Sequence, residues 1–338
     1  MTWRWFGVLA AAGCIAGCGS YADFTLPVLV PAAHSVSYEW NVYPEPVLGR
    51  DAAGWDSTDA LNPSVVEAGG ILYNFYSGFD GRVWSTGLAT SSDGVHWTKK
   101  GRVLAPDAAT WEGGYIAANG TAFRLGSQFF YWYQASRSPR IGLARSKDGT
   151  TWTKMPQPVL GTGPRGSWDE RAVADPYVVR IGDTFYMYYL GEDRARRQRL
   201  GVSRSTDGVK WQKSRANPIL ELGKAGAFDE IGLGEPAVWK SENSYWMLYT
   251  GRDRGEIRRL GLARSQDGVQ WSRVTETAAL AGAESWNSKT LCDPTVRLVD
   301  GDAQVWFGGG DIAHPVENVH GQIGFAILKL NVAATLPK

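Results

Sequence analysis

The phrase Ser-x-Asp-Gly-x-x-Trp occurs four times in this chain, at residues 91–97, 146–152, 205–211 and 265–271. Each copy follows a short apolar run such as Gly87-Leu88-Ala89 or Gly201-Val202-Ser203. The turn residues Asp93, Asp148, Asp207 and Asp267 recur at intervals of 55, 59 and 60. A fixed period of this length marks a repeat architecture, whose units cannot bury their apolar faces alone. Asp-Gly between two β-prone runs predicts a hairpin, because glycine accepts the positive φ that tight turns need. Upstream of each hairpin lies a second pair of strand-like runs. Asp175 to Val179, a turn at Gly182-Asp183, and Phe185 to Tyr189 are one example, so each repeat carries four strands.

First strands start at Asn62, Asn119, Asp175, Glu235 and Asp293, at intervals of 57, 56, 60 and 58. The count is therefore five, although only four repeats carry the hairpin phrase. The fifth lacks an outer strand, and the missing piece lies at the other end of the chain. Trp40 to Leu48 ends in Pro46-Val47-Leu48 and matches Trp152 to Leu160, which ends in Pro158-Val159-Leu160. An outer strand donated by the N-terminal segment to the last sheet closes a ring and leaves no long unpaired edge. The predicted fold is all-β, a five-bladed β-propeller closed by an N-terminal outer strand.

Residues 1–18 have the layout of an export signal: Arg4, an apolar stretch from Trp5 to Ala12, then Ile15-Ala16-Gly17-Cys18. The apolar stretch is too short to span a bilayer. The end of the segment resembles a bacterial lipobox, with Ala11-Ala12-Gly13-Cys14 a poorer match. The resemblance implies lipidation of Cys18 and a membrane-anchored protein on the periplasmic or extracellular side. Only Cys292 then remains as a mature thiol, so no intramolecular disulfide is expected. Residues 19–37, with Pro27 and Pro31, read as a spacer, and 38–331 as the catalytic propeller. The 35 Lys and Arg balance 34 Asp and Glu at a net charge of +1, which supplies no electrostatic footprint for nucleic acid. No phosphate-cradling glycine loop, Cys-x-x-Cys pair or Gly-x-Ser-x-Gly elbow is present. No protein partner is predicted.

In a propeller the inner strands surround the axis, so residues at their starts converge on one funnel. Asn62, Asp175, Glu235 and Asp293 each precede proline there. Three carboxylates facing one cavity raise each other's pKa, so that one stays protonated while another is ionised. Glycosidic bonds are cut by such pairs, one carboxylic acid protonating the leaving oxygen and one carboxylate activating water or attacking the sugar. An aromatic followed by a polar residue also recurs ahead of the strand starts: Trp55-Asp56, Trp111-Glu112, Trp168-Asp169, Phe228-Asp229 and Trp286-Asn287. Repetition in every blade favours a scaffold role, a wedge between blades whose acid bonds the next turn.

The Asp-Pro and Glu-Pro strand starts together with the Ser-x-Asp-Gly-x-x-Trp hairpins resemble the five-bladed glycosidases of glycoside hydrolase families 43, 32, 62 and 130, across nearly the whole mature chain. The resemblance implies a glycoside hydrolase acting on an oligo- or polysaccharide, with Glu235 as general acid and Asp175 as its tuner. Blade 1 departs, since Asn62 stands where a base Asp would be and cannot accept a proton from water. Asp293, or Asp59 or Asp56 just upstream of Asn62, then becomes the candidate base. Asn62 and Asn119 are expected to contact substrate. The loops after the second strands should open at the same mouth, and their Arg137, Arg194 and Arg252 suit an anionic sugar or pair with acids in the same loops. His314 and His320 lie in the longest of these loops and are expected at the surface or against substrate, ahead of ligating an axial cation. No cofactor is required by this chemistry, although relatives carry an axial cation such as calcium. Two other readings fit the same scaffold: a glycoside phosphorylase or transferase, and a carbohydrate-binding lipoprotein in which Asn62 marks lost catalysis.

Overall fold

Runs such as Phe185-Tyr186-Met187-Tyr188-Tyr189 are apolar throughout because both faces of their strand are covered. In the computed structural model, which describes residues 20–30 and 35–333, Tyr186 and Tyr188 pack toward the sheet that follows, while Phe185, Met187 and Tyr189 pack toward the sheet before. Alternate residues of a strand point to opposite faces, so one second strand serves two cores. Five such cores form, between blades 1 and 2, 2 and 3, 3 and 4, 4 and 5, and 5 and 1. The last of these joins Leu72 and Tyr76 to Trp306 and Phe325 and closes the ring.

Blade 1 comprises Asp59–Leu61 with Val65–Ala68, then Ile71–Phe79, Trp84–Ser91 and Thr98–Leu104. Blade 2 comprises Ile116–Leu125, Gln128–Ala135, Arg140–Ser146 and Thr153–Lys154. Blade 3 comprises Ala172–Ile181, Thr184–Glu192, Gln198–Ser205 and Gln212–Ser214, and blade 4 Gly232–Ser241, Ser244–Arg252, Arg258–Ser265 and Trp271–Arg273. Blade 5 comprises Thr290–Val299, Asp302–Gly310 and Gln322–Ala333, and its outer strand is Ser35–Val42 from the N-terminal side, antiparallel to Gln322–Ala333 with Trp40 opposite Leu328. The five-bladed propeller and its closure by an N-terminal strand are as the repeat predicts.

The Asp-Gly hairpins form as expected. In blade 1, Asp93 Oδ1 accepts from the amides of Val95 and His96, Ser91 Oγ accepts from Gly94, and Trp97 Nε1 donates to the Gly94 carbonyl at 2.9 Å. Gly94 has φ +82°, which a residue with Cβ adopts only with strain. These turns also link blades: Trp306 Nε1 donates to Gly94 O, Trp132 Nε1 to Gly208 O, and Tyr188 OH to Gly268 O.

Three expectations need correction. Asn119, Asp175, Glu235 and Asp293 do not begin their strands. Each sits three residues in, at a break in the ladder, as between Ala174 and Tyr177. Second, the bonds the repeated acids share are not to a neighbouring turn, although Glu112 also accepts from the Asp107 amide at 2.9 Å. Within its own blade, each of Asp56, Glu112, Asp169 and Asp229 accepts from a second-strand tyrosine (Tyr76, Tyr133, Tyr189, Tyr249) and from an outer-strand cation (Lys99, Lys154, Lys213, Arg273). The preceding aromatics pack on the same second strands, for instance Trp168 on Tyr189 at 5.5 Å between ring centroids.

Third, much of the 19–37 segment is not a free spacer. Tyr21–Ala22 runs parallel to the outer strand of blade 3, opposite Lys213 and Ser214. Leu26 is buried in the core between blades 3 and 4. The amides of Leu26 and Leu29 donate to Asp267 and Gln266 in the turn of blade 4, at 2.8 and 2.9 Å. Of the two prolines read as linker signals, Pro27 sits in a segment held by backbone pairing, and Pro31 lies outside the described residues. Residues 1–19, including Cys18 and the expected leader, lie outside the described residues. Among the described residues no helix is long and apolar enough to cross a membrane.

Candidate active site

The five breaks share one backbone solution. Asn62, Asn119, Asp175, Glu235 and Asp293 all have φ between +46° and +53°, the left-handed region that non-glycine residues rarely enter. The next residue is proline at four of them and Gly120 at the fifth. Proline has no N–H, so it costs no ladder hydrogen bond where the bulge has already interrupted pairing. The bulge aims all five side chains at the axis, where they line one cleft of about 220 Å³. Backbone strain of this kind persists where surrounding structure over-determines it. Here hydroxyls of the preceding blade help: Ser77 Oγ accepts from the Asn119 amide at 2.9 Å and Thr250 Oγ1 from the Asp293 amide at 3.2 Å.

Asp175, Glu235 and Asp293 are thus brought together. Burial, then the nearby Glu235 and Asp293, raises Asp175 well above the ordinary carboxyl range, against a hydrogen bond from Asn119 Nδ2 at 3.4 Å. Burial, then Glu235, pushes Asp293 up to about 8, against the opposing pull of the Cys292 thiol, Arg258 and the Asn62 amide. These shifts favour the protonated form of Asp293, which works against the base role expected for it. Closely coupled carboxyls titrate as a set and not one by one. Glu235 Oε2 is buried with no protein hydrogen-bond partner among the described residues. That oxygen is free to meet a ligand.

Arg258 was missed by sequence reasoning. Its guanidinium is buried, which works against its charge, but Cys292, Glu235 and Asp293 outweigh this and raise its pKa. Cys292 is buried and reduced, and its Sγ donates to Asp293 Oδ2 at 2.9 Å. A positional signal for Arg258 existed. Trp84, Pro139, Gln198 and Arg258 each stand three residues before the repeat glycine of a third strand, and all four line the cleft. Gln134, Leu190 and Thr250, one residue before the small residue that ends the second-strand run, form a further ring of the wall. Tyr115 and Glu192 complete it, and Glu192 pairs with Arg171 at 2.5 Å.

Other expected site residues are placed elsewhere. Asp59 is fully buried and does not line the cleft. Its carboxylate accepts from the amides of Asn318, Val319 and Gly321 at 2.6, 3.1 and 2.8 Å, so it fastens a loop and has no lone pair turned to substrate water. Asp56, the other upstream candidate, is held by Tyr76 and Lys99. Arg194 lies at the surface, paired with Glu170 at 3.2 Å. Arg137 stacks over the Tyr115 ring at 4.5 Å, behind the cleft wall. Arg252 does line the cleft, where it pairs with Glu256 and donates to the Pro315 carbonyl. His314 Nδ1 accepts from the amides of Val316 and Glu317, and His320 pairs with Asp311 at 2.8 Å. Neither ring lines the cleft. Among the described residues no group of three or more His, Cys, Asp and Glu is arranged to hold a metal ion.

A family model described as the glycosyl hydrolases family 32 N-terminal domain matches residues 72–218 and 178–288. Two Mycobacterium tuberculosis proteins, uncharacterized protein MT1551 of strain CDC 1551 and uncharacterized protein Rv1502 of strain H37Rv, are each 27% identical over 232 residues, 62% of this chain and 75% of theirs. Among solved structures, BT0996 in its RGII complex superposes with a TM-score of 0.69 at 17% identity, covering 88% of this protein and 94% of that one. A family 117 glycoside hydrolase of Zobellia galactanivorans gives 0.64 at 16%, covering 89% and 92%. A β-1,2-mannobiose phosphorylase from Listeria innocua gives 0.67 at 13%, covering 86% and 96%. At these identities the likeness is one of fold.

Proposed function

Because this chain is a member of the glycosyl hydrolases family 32 N-terminal domain family, a five-bladed propeller family, we propose that it is a glycoside hydrolase whose axial carboxyls Asp175, Glu235 and Asp293 cut a glycosidic bond. The observation that carries this reading is the shared cleft, in which burial and mutual repulsion favour the protonated forms of Asp175 and Asp293 beside a glutamate oxygen with no protein partner among the described residues. Glu235 meets the glycosidic oxygen and gives it a proton as the C1–O bond breaks. That proton comes from the coupled set, where burial and repulsion raise Asp175 and Asp293 and Arg258 limits how far they do so. The oxocarbenium-like centre then takes water. The water proton returns to the carboxyl set, so atoms and charge balance over the cycle. Asn62 and Asn119 present amides to sugar hydroxyls.

The test compares two isosteric changes. Glu235→Gln should lower kcat by about 10²- to 10⁴-fold, the usual worth of a general acid, with unfolding unchanged. Asp293→Asn replaces a group that is already neutral and should cost much less. Equal losses would show that Asp293 works as an ionised base and would overturn this division of roles. Assay with and without inorganic phosphate separates hydrolysis from phosphorolysis.

Membrane anchoring through Cys18 is part of the same proposal. It rests on the export-signal layout of residues 1–18 and the lipobox-like Ile15-Ala16-Gly17-Cys18. Cys18→Ala should move the protein from the membrane fraction to the soluble one, and unchanged partitioning would refute anchoring at this residue.

A further inference from the structure

Blades 1 to 4 line the cleft with residues of their strands and the short turns between them, but above blade 5 a long connection does so. Residues 311–321 leave the second strand of blade 5 and cross the mouth of the funnel, and Pro315 and Val316 line the cleft. On one rim, Arg258 Nη2 donates to His314 O at 2.9 Å and Arg252 Nη1 to Pro315 O at 3.1 Å. On the other, Glu317 Oε2 accepts from Trp84 Nε1 at 2.9 Å and from Tyr115 OH at 2.5 Å. Asp59 fixes the returning end through its three amide bonds. The strap therefore reaches from blade 4 across to blades 1 and 2.

The glycine run 308–310 is what lets it lie so low. A Cβ on Gly310 would stand 2.3 Å from Val319 O, and one on Gly309 2.3 Å from the Trp286 ring. From the sheet of blade 5 itself only Asp293 faces the cleft, beside the strap.

We infer that this strap makes the cleft a blind pocket that takes the end of a glycan and excludes its interior, an inference that rests on the glycosidase reading above. A glycan bound through its middle needs two exits, and the strap ties down both rims of the blade 5 sector. The cavity of about 220 Å³ is smaller than the roughly 300–1,000 Å³ of sites that hold larger ligands, and suits about one sugar ring. Arg252 and Arg258 each turn an N–H to a strap carbonyl, so the same contacts that close the pocket also fix its two cations. Glu317 is a positioning residue in this scheme, acting through the strap.

The experiment uses arabinan, inulin and mannan, with their oligosaccharides of two to six residues, both native and chemically blocked at both ends. Products are followed by anion-exchange chromatography. The protein should release one monosaccharide from the earliest times and act at least 100-fold more slowly on blocked glycans. Glu317→Ala, and more weakly Tyr115→Phe, should narrow that ratio by freeing the strap, with parallel increases in hydrogen exchange at residues 314–319. In Glu235→Gln protein, tryptophan-fluorescence titration should give affinities that stop improving beyond two residues. Early mixtures of oligosaccharides, unchanged rates on blocked glycans, or affinity that keeps rising with length would overturn the blind pocket and leave the hydrolase reading standing. Neither cleavage nor binding of any of these glycans would overturn the hydrolase reading, and this inference with it.

Discussion

Removing the amine of Lys213 alone should cost this protein about 3–5 kcal/mol, yet removing all three polar members of its buried cluster should cost far less. Lys213 Nζ bonds Asp169, and both side chains are buried, the carboxylate completely. Burial pulls the lysine pKa down in spite of that partner. In Lys213→Met the carboxylate keeps only Ser167 Oγ at 2.9 Å and Tyr189 OH at 3.4 Å. Breaking a buried pair from one side costs about 3–5 kcal/mol. The alternative, protonating an ordinary carboxyl at pH 7, costs about 4 kcal/mol, so neither route escapes the penalty. Blade 5 shows the neutral solution. There Asn287 replaces the acid, Phe307 the tyrosine and Val42 the cation, and Trp286 still stacks on Phe307 at 6.3 Å. The triple change Asp169→Asn, Tyr189→Phe, Lys213→Val copies that set into blade 3 and should cost less than about 2 kcal/mol, since a buried ionic group is often neutral against a packed apolar one. Urea unfolding followed by tryptophan fluorescence measures the parent, Lys213→Met, the triple variant and its three single changes. A triple variant as unstable as the sum of its single changes, or a Lys213→Met protein within about 1 kcal/mol of the parent, would refute the reasoning.

Stability should also depend on pH through the axial carboxyls. Asp293, raised from 3.8 to about 8, stabilises the fold fully below about pH 4, and that contribution is lost as pH rises through 8. Asp293→Asn should therefore gain on the parent by up to about 1.4 kcal/mol per pH unit between these values, and an unfolding difference that is flat from pH 5 to 8 would count against it. Activity should fall as pH rises through about 8, where the set loses its shared proton, and a profile still climbing there would argue for a base. Leu26→Ala should destabilise the propeller by about 2–5 kcal/mol, measurable as a lower urea midpoint. A change below about 0.5 kcal/mol would mean that the segment is a spacer after all.

What the sequence disclosed followed from period. The Asp-Gly turns, the five-fold count and the match of Trp40 to Trp152 are all relations between distant copies, and each is realised as a strand, a blade or the closing sheet. The bulges were hidden because a proline after an acid reads as a strand boundary, when here it marks the middle of a strand bent by a left-handed residue. The segment at 20–30 was misread for a related reason: Pro27 and Pro31 suggested a linker, and nothing local announces that Leu26 fills a gap beside the turn of blade 4. Asp59 drew attention by lying near Asn62, but an acid's nearness in sequence does not say where its lone pairs point. Arg258 lay within reach, since its place before the repeat glycine is shared with Trp84, Pro139 and Gln198. The strap over blade 5 was visible only as the longest loop, because the partners of Glu317 come from blades 1 and 2.

The outer strand of blade 5 is made first and its partner last. At roughly 5–20 residues per second of synthesis, Tyr38 waits on the order of fifteen seconds to a minute for Leu330, opposite which it finally lies. Chain length itself is a small burden, because closure entropy grows only with the logarithm of the loop. Time is the larger one. Through that interval Val36, Tyr38 and Trp40, which end against the core of the last blade, are an alternating apolar ribbon without a neighbour, open to pairing with any other nascent polypeptide. Whatever shelters that ribbon until the last dozen residues arrive decides how much of this protein reaches its closed form.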